Sequence, residues 1–314
     1  MPNKIIIDTD PGIDDAMAIF FALSAPELTV MGLTTTFGNV SVDQATNNAL
    51  LLVEMIDADI PVARGEATPL VQPPSPFPDF VHGKDGFGNL NLPAAKGSAV
   101  DETAAAFIVK TVLENPNEVT LLAIGPLGNL ARALQLEPKI AQLVKQVVIM
   151  GGTVHESGNV SPVAEANIFG DPHAADAVFK ADWHVHMIGL DVTHQVTMND
   201  ALQQKVRDNN PKFGEFLYRA GQFYADFYKA SRGADGCFVH DASAVAYAIN
   251  PTLFEVVEGP VRVATEGVAK GQTILKREQY DYPESHWDNI TASSVCVSVD
   301  EQGVLALYEQ VMTQ

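Results

Sequence analysis

The sequence has 314 residues, of which 46% are hydrophobic, enough to bury a substantial core without disulfide or metal staples. Its 39 acidic against 19 basic residues give a formal net charge of −20, which excludes nucleic acid as a partner, because that binding needs a basic face to displace counterions. Two cysteines, Cys237 and Cys296, are too few for a disulfide framework and lack metal-ligand spacing, and no apolar run approaches the ~20 residues of a membrane span.

From the start of the chain, Asn3-Lys4 leads directly into an apolar, β-branched run from Ile5 to Ile7. No signal-peptide pattern precedes it, so the expected location is the cytoplasm and no membrane partner is expected. The period then switches to that of a helix from Asp14 to Ala25, back to a strand from Leu28 to Thr36, and again to a helix from Val42 to Ile56. Residues 66–97 carry Pro69, Pro73, Pro74, Pro76 and Pro78 and then Gly83, Gly86 and Gly88, without periodicity. That composition predicts a long loop, and loops of such length in compact domains tend to be lids. Further strands are expected at Glu118 to Ile124, Gln146 to Met150 and Val185 to Leu190. A second flap is expected over 229–240, centred on Ser231 to Val239, before a helix that opens at Asp241. Strands that read as near-continuous apolar runs have both faces covered by helices. The expectation is a single α/β domain spanning 1–314: a doubly wound, mostly parallel central sheet flanked by helices, with active-site loops at the carboxyl ends of its strands.

Polar clusters fall where that architecture places ligands. Asp8, Asp10, Asp14 and Asp15 lie together in Asp8-Thr9-Asp10-Pro11-Gly12-Ile13-Asp14-Asp15, directly after the first strand. Carboxylates crowded into a low-dielectric site raise one another's pKa values, and a bound cation removes the conflict. Pro11-Gly12 permits a sharp turn into a helix whose positive end tolerates acidic side chains, a geometry that returns Asp15 towards Asp10. Ligands that are all oxygen favour a hard ion over zinc, and calcium accepts irregular geometry better than magnesium does. The plainer alternative is that these carboxylates only cap the helix and bind turn amides, but capping needs one or two of them rather than four.

The segment Asp8 to Ala16 resembles the N-terminal fingerprint of the inosine–uridine-preferring nucleoside hydrolases. Further segments are similar in the same order along most of the chain: Gly38-Asn39-Val40, Gly125-Pro126-Leu127-Gly128-Asn129, Val148 to Gly152, Asn159, Ala164-Glu165-Ala166-Asn167 with Asp171-Pro172, Gly189 to Thr193, and His240-Asp241. The resemblance implies a ribonucleoside hydrolase that cleaves the N-glycosidic bond to ribose and free base, as in nucleoside salvage. One calcium ion would be held by Asp10, Asp15, Asp241 and the main-chain oxygen of Ile124, where the family usually has threonine. It implies Asp10 as general base for the attacking water, Asn39, Asp14 and Asn167 on the ribose 2′ and 3′ hydroxyls, Asn159 and Glu165 on the 5′ hydroxyl, and Met150 lining the sugar pocket. His82, His240 and Tyr228, with Tyr224 one turn earlier, match leaving-group positions. That set leans towards pyrimidine nucleosides such as uridine and cytidine, with inosine a further candidate, rather than towards the purine-specific members that rely on tryptophan. Members of the family are homodimers or homotetramers.

Each residue also has a plainer role: an i, i+4 tyrosine pair is more often packing, and Glu165 with Asn167 also suits a turn and a helix cap. His155, His173, His184, His186, His194 and His286 match no functional position and read as structural. Two rival functions remain. A phosphohydrolase of the haloacid dehalogenase type also has Asp-x-Asp after its first strand, but expects Thr or Val where Gly12 stands. A non-catalytic calcium and ribose-binding module would share the ligands without needing a base.

Overall fold

The computed structural model describes residues 2–277, 280 and 282–314. Eight strands, β1 (Asn3–Thr9), β2 (Leu28–Thr35), β3 (Val62–Arg64), β4 (Val119–Ala123), β5 (Gln146–Met150), β6 (Val185–Ile188), β7 (Phe254–Gly259) and β8 (Ser293–Val299), form one sheet in the order β3-β2-β1-β4-β5-β6-β8-β7. Every neighbouring pair is parallel except β7 and β8. The winding reverses between β1 and β4, and such a switch point opens a crevice beyond the strands' carboxyl ends. Asp8 and Asp10 lie at the end of β1 and Ile124 directly follows β4, so the acidic cluster sits at the reversal.

Helices cover both faces. Ile5 and Ile7 point into one apolar cluster and Ile6 into the other, as the period-2 pleat requires. Predicted boundaries fall within about two residues of the observed ones, but the sequence pattern does not reveal β3, β7 or β8. β7 is an edge strand whose sequence, Phe-Glu-Val-Val-Glu-Gly, carries two exposed glutamates; inserted charges of this kind blunt an edge against pairing with another chain.

Both expected lids contain regular structure. Within 66–97 the residues Asp79–His82 form a single helical turn, and the Asp85 carboxylate accepts hydrogen bonds from the amides of Phe87, Asn89 and Asn91, each at 2.8 Å. Phe87 is buried, edge-on to Phe216. The 229–240 segment opens on the last turn of the helix Gly214–Arg232, which Gly233 ends in the left-handed conformation at φ 67°. Cys237–Phe238 then pairs with Thr197–Met198, ahead of the helix Asp241–Ile249.

The helix Ile13–Ser24 is buried on nearly all sides and packs against the helices Gly214–Arg232 and Asp241–Ile249. Phe20, fully buried, stacks on Phe213 with ring centroids 4.2 Å apart. That stack fixes the distance between the acidic helix start and the tyrosines of the long helix. Phe20→Ala is expected to destabilise the fold by ~3–5 kcal/mol, read as a lower urea midpoint at unchanged slope; a shift below about 1 kcal/mol would show that this packing does not set the geometry.

Candidate active site

The strand-to-helix turn after β1 is built by its own side chains. Asp15 accepts from the Thr9 hydroxyl at 2.5 Å, from the Gly12 amide at 2.9 Å and from the Asn39 side-chain amide at 3.0 Å. Asp10 Oδ2 accepts from the Asn39 backbone amide at 2.6 Å, while Asp10 Oδ1 and Asp14 Oδ1 are buried without a hydrogen-bond partner. The backbones of Gly38 and Gly125 close around Asp10: a Cβ on Gly38 would lie 2.0 Å from its Oδ2 and one on Gly125 2.6 Å from its Oδ1. No side chain fits there, which accounts for a glycine at the end of two separate strands.

Asp241 reaches this cluster from the first turn of its own helix. The carboxylates of Asp14, Asp15 and Asp241 come within 4.8 Å of one another, all buried. The tightest trio thus contains Asp14 where the sequence reading had Asp10, whose Oδ2 is turned to the Asn39 amide; Asp10 stays close enough for its charge to act on Asp241. Ile124 O accepts from the Asn167 amide at 3.0 Å, and a carbonyl oxygen keeps a second lone pair.

Burial raises the pKa of every carboxyl in the cluster. It carries Asp8 up to about 7, although Asn129 and Thr34 donate to it. It lifts Asp14 and Asp15 to about 6, in Asp15 with help from the charge of Asp14. Asp10 and Asp241 are driven well above the usual range by burial and by their carboxylate neighbours. Unpartnered buried oxygens, an all-oxygen donor set and this repulsion together fit a hard cation.

A pocket opens above the cluster. Its walls include Asp14, Asn39, His82, Ile124, Met150, Asn159, Glu165, Asn167, Tyr224, Tyr228, His240 and Asp241, so every predicted substrate-binding and leaving-group residue lines one space, with Asp10 and Asp15 buried beneath it. Asn167 donates to the Ile124 and Met150 carbonyls at 3.0 and 3.1 Å. Glu165 caps the helix Ala166–Gly170 through the amides of Asn167 and Ile168 and also accepts from Gly152, so the cap and the pocket wall are the same side chain. Asn159 sits exposed at the rim.

The adjoining part of the lining is aromatic. His82 is buried beside Tyr224 and accepts from the Ile13 amide through Nδ1 at 3.2 Å; desolvation lowers its pKa to about 4, so the ring is neutral. His240 contacts Tyr228 at 2.8 Å through Nε2 and Thr193 at 2.8 Å through Nδ1, and burial pushes its pKa well down, reinforced by His194, His82 and Arg232. The sequence reading missed Phe80, Val81, Val160, Phe227 and Arg232 at the mouth, and His194, taken there as structural, also lines the pocket. The apolar ones carry no chemical signature in a sequence. His184 and His186 instead bond to Ser294 and Tyr247, away from the pocket.

This fold and site define an enzyme: a carboxylate cluster at a topological switch point, under a pocket of amides, phenols and imidazoles. The model of the inosine-uridine preferring nucleoside hydrolases matches residues 5–306. A probable uridine nucleosidase of Oryza sativa subsp. japonica is 43% identical over 99% of this chain and 96% of its own length. A solved plant nucleoside hydrolase superposes with a TM-score of 0.96 at 40% identity, covering 100% of this chain and 99% of its own, and a purine-preferring ribonucleoside hydrolase from Gardnerella vaginalis with 0.92 at 33%, covering 99% and 98%. The chain belongs to the inosine-uridine preferring nucleoside hydrolase family, and is a hydrolase acting on N-glycosyl compounds.

The raised carboxyl values fix a sign for stability against pH. An aspartate of ordinary value 3.8 that rises to about 6 or 7 on folding means that the cation-free folded chain binds more protons than the unfolded chain between roughly pH 4 and 7. The carboxyls' contribution to stability therefore falls as pH rises through that window, while the depressed values of His82 and His240 act in the opposite direction up to about pH 6.5 and no longer oppose it above that. Thermal melts in chelator from about pH 6.5 to 8 are expected to show a declining midpoint that calcium restores at pH 7; a midpoint that rises with pH over that range in chelator would contradict the repulsion.

Proposed function

We propose that this enzyme hydrolyses the N-glycosidic bond of ribonucleosides, pyrimidine nucleosides such as uridine and cytidine together with inosine, to ribose and free base, with one calcium ion per subunit at the carboxylate cluster. The observation that carries this reading is the buried, unpartnered Asp10 Oδ1 beside the Asp14, Asp15 and Asp241 trio, in a pocket also lined by the tyrosines and His240. Breaking a ribosyl C–N bond develops positive charge on the sugar and negative charge on the base, so an anionic floor and a donor-rich wall stabilise the two halves of one transition state.

Asp10 is the general base: its free Oδ1 takes the proton of the attacking water. Asp15 and Asp241, with the Ile124 carbonyl, would hold the cation, and a hard cation supplies charge that acidifies water and fixes vicinal hydroxyls. Asp14, Asn39 and Asn167 orient the 2′ and 3′ hydroxyls, Glu165 and Asn159 the 5′ hydroxyl, and Met150 packs on the sugar. His240, Tyr228 and His82 face the departing base. Held neutral by burial, His240 and His82 serve as hydrogen-bond donors to developing negative charge rather than as stored protons.

The lean towards pyrimidines is supported by the similarity to a probable uridine nucleosidase and by the pocket lining, which includes no tryptophan among the described residues. Membership of the family leaves the phosphohydrolase without support, and a binding module has no use for a buried unpaired base.

Asp10→Asn is expected to lower turnover by at least about 100-fold while the melting profile persists; near-normal turnover would remove Asp10 from the base role. Ribose release from uridine is expected to vanish in chelator and return with calcium, with no phosphate released from p-nitrophenyl phosphate; release that persists in chelator would overturn the cation's part. His240→Ala is expected to harm uridine and inosine far more than p-nitrophenyl riboside, whose leaving group needs no help. Equal losses on all three would argue against leaving-group assistance.

A further inference from the structure

A chain of hydrogen bonds runs from the carboxylate cluster through the tyrosines to His240 and Thr193. Tyr224 donates to Asp14 Oδ2 at 2.9 Å, the Tyr224 and Tyr228 hydroxyls lie 3.3 Å apart, Tyr228 lies 2.8 Å from His240 Nε2, and His240 Nδ1 lies 2.8 Å from Thr193 Oγ1. Each hydroxyl link taken alone can run in either direction. The Tyr224 hydroxyl is the donor to the Asp14 carboxyl oxygen, and that sets the direction of all the rest. Tyr224 gives its proton to Asp14, so its oxygen accepts from Tyr228. Tyr228 in turn accepts from an Nε2–H on His240. A neutral imidazole has one N–H, so Nδ1 is left as an acceptor and Thr193 must donate to it.

Thr193 is fully buried at the end of the short helix Leu190–Thr193. The neighbouring Asp191 carboxylate pins this turn by accepting from the amides of Val154, His155 and Glu156. Among the described residues its hydroxyl has no hydrogen-bond partner other than His240. The rings of His194 and Phe238 bracket His240 at 5.6 and 5.9 Å, which confines the ring but does not choose which nitrogen carries the proton.

We infer that Thr193 is a positioning residue for the leaving-group side of the reaction: its hydroxyl locks His240 in the Nε2–H form and turns that donor towards Tyr228 and the pocket. This rests on the reading that His240 and Tyr228 meet the departing base. Removing the hydroxyl frees the ring to flip or change tautomer and points an acceptor at Tyr228. The loss appears only where the base needs help to leave.

The test compares Thr193→Val, which deletes the hydroxyl, with Thr193→Ser, which keeps it, on uridine and on p-nitrophenyl riboside, using the calcium-loaded enzyme. Thr193→Val is expected to lower kcat on uridine by about tenfold or more, with KM and the p-nitrophenyl riboside rate kept within about twofold, and Thr193→Ser to keep both rates. A purely packing role would move both substrates alike in Thr193→Val, and that result, or an unchanged uridine rate, overturns the inference. The nitrogen shifts of His240 in the wild-type enzyme give a second readout that needs no variant. Protonation at Nε2 with Nδ1 accepting supports the assignment, and protonation at Nδ1 overturns it. Selective loss in His240→Ala combined with no selectivity in Thr193→Val defeats only this inference, whereas equal losses in His240→Ala defeat it together with the reading beneath it.

Discussion

Carboxylates that share a space closed to water repel one another more strongly than hydrogen bonds alone can relieve, and the upper end of this sheet is organised around that repulsion. Backbone amides and short side chains meet part of the demand at Asp10 and Asp15, yet one oxygen each of Asp10 and Asp14 stays unpartnered. A fold that keeps such a cluster has a use for it outside stability. The topological reversal between β1 and β4 supplies the room, and the helix Asp241–Ile249, packed on the helix Ile13–Ser24, brings in the distant Asp241.

The same cluster is hydrogen-bonded to the aromatic part of the pocket. Through Tyr224, the Asp14 carboxyl is joined to the Tyr228 hydroxyl and the His240 imidazole, so the carboxylates and the aromatic residues of the pocket belong to one hydrogen-bonded network. In the proposed reaction, the charges that develop during C–N cleavage would act on that one network.

Much of the fold was legible because parallel strands buried on both faces read as unbroken apolar runs, and the boundaries at β1, β2, β4, β5 and β6 followed from that alone. β3 escaped because it is only three residues long, and β7 and β8 because glutamates and serines interrupt their apolar runs. The acidic turn was legible because its four carboxylates are close in sequence. Asp241, Glu165 and Asn167 were found through family resemblance, since nothing local ties them to β1. Three features lay beyond either route. That Asp14 rather than Asp10 completes the trio with Asp15 and Asp241 goes with the turn of Asp10 Oδ2 to the Asn39 amide. The pairing of Thr193 with His240 joins residues 47 positions apart. Phe80 and Phe227 reach the pocket mouth as apolar side chains with no chemical mark.

The most direct measurement is a crystal structure grown with calcium and phased to reveal the ion by its anomalous signal. One ion per subunit within about 2.3–2.6 Å of carboxylate oxygens from both the β1 turn and Asp241 is the result this account requires. No ion there at saturating calcium, with the aspartates paired to protein donors instead, would contradict it.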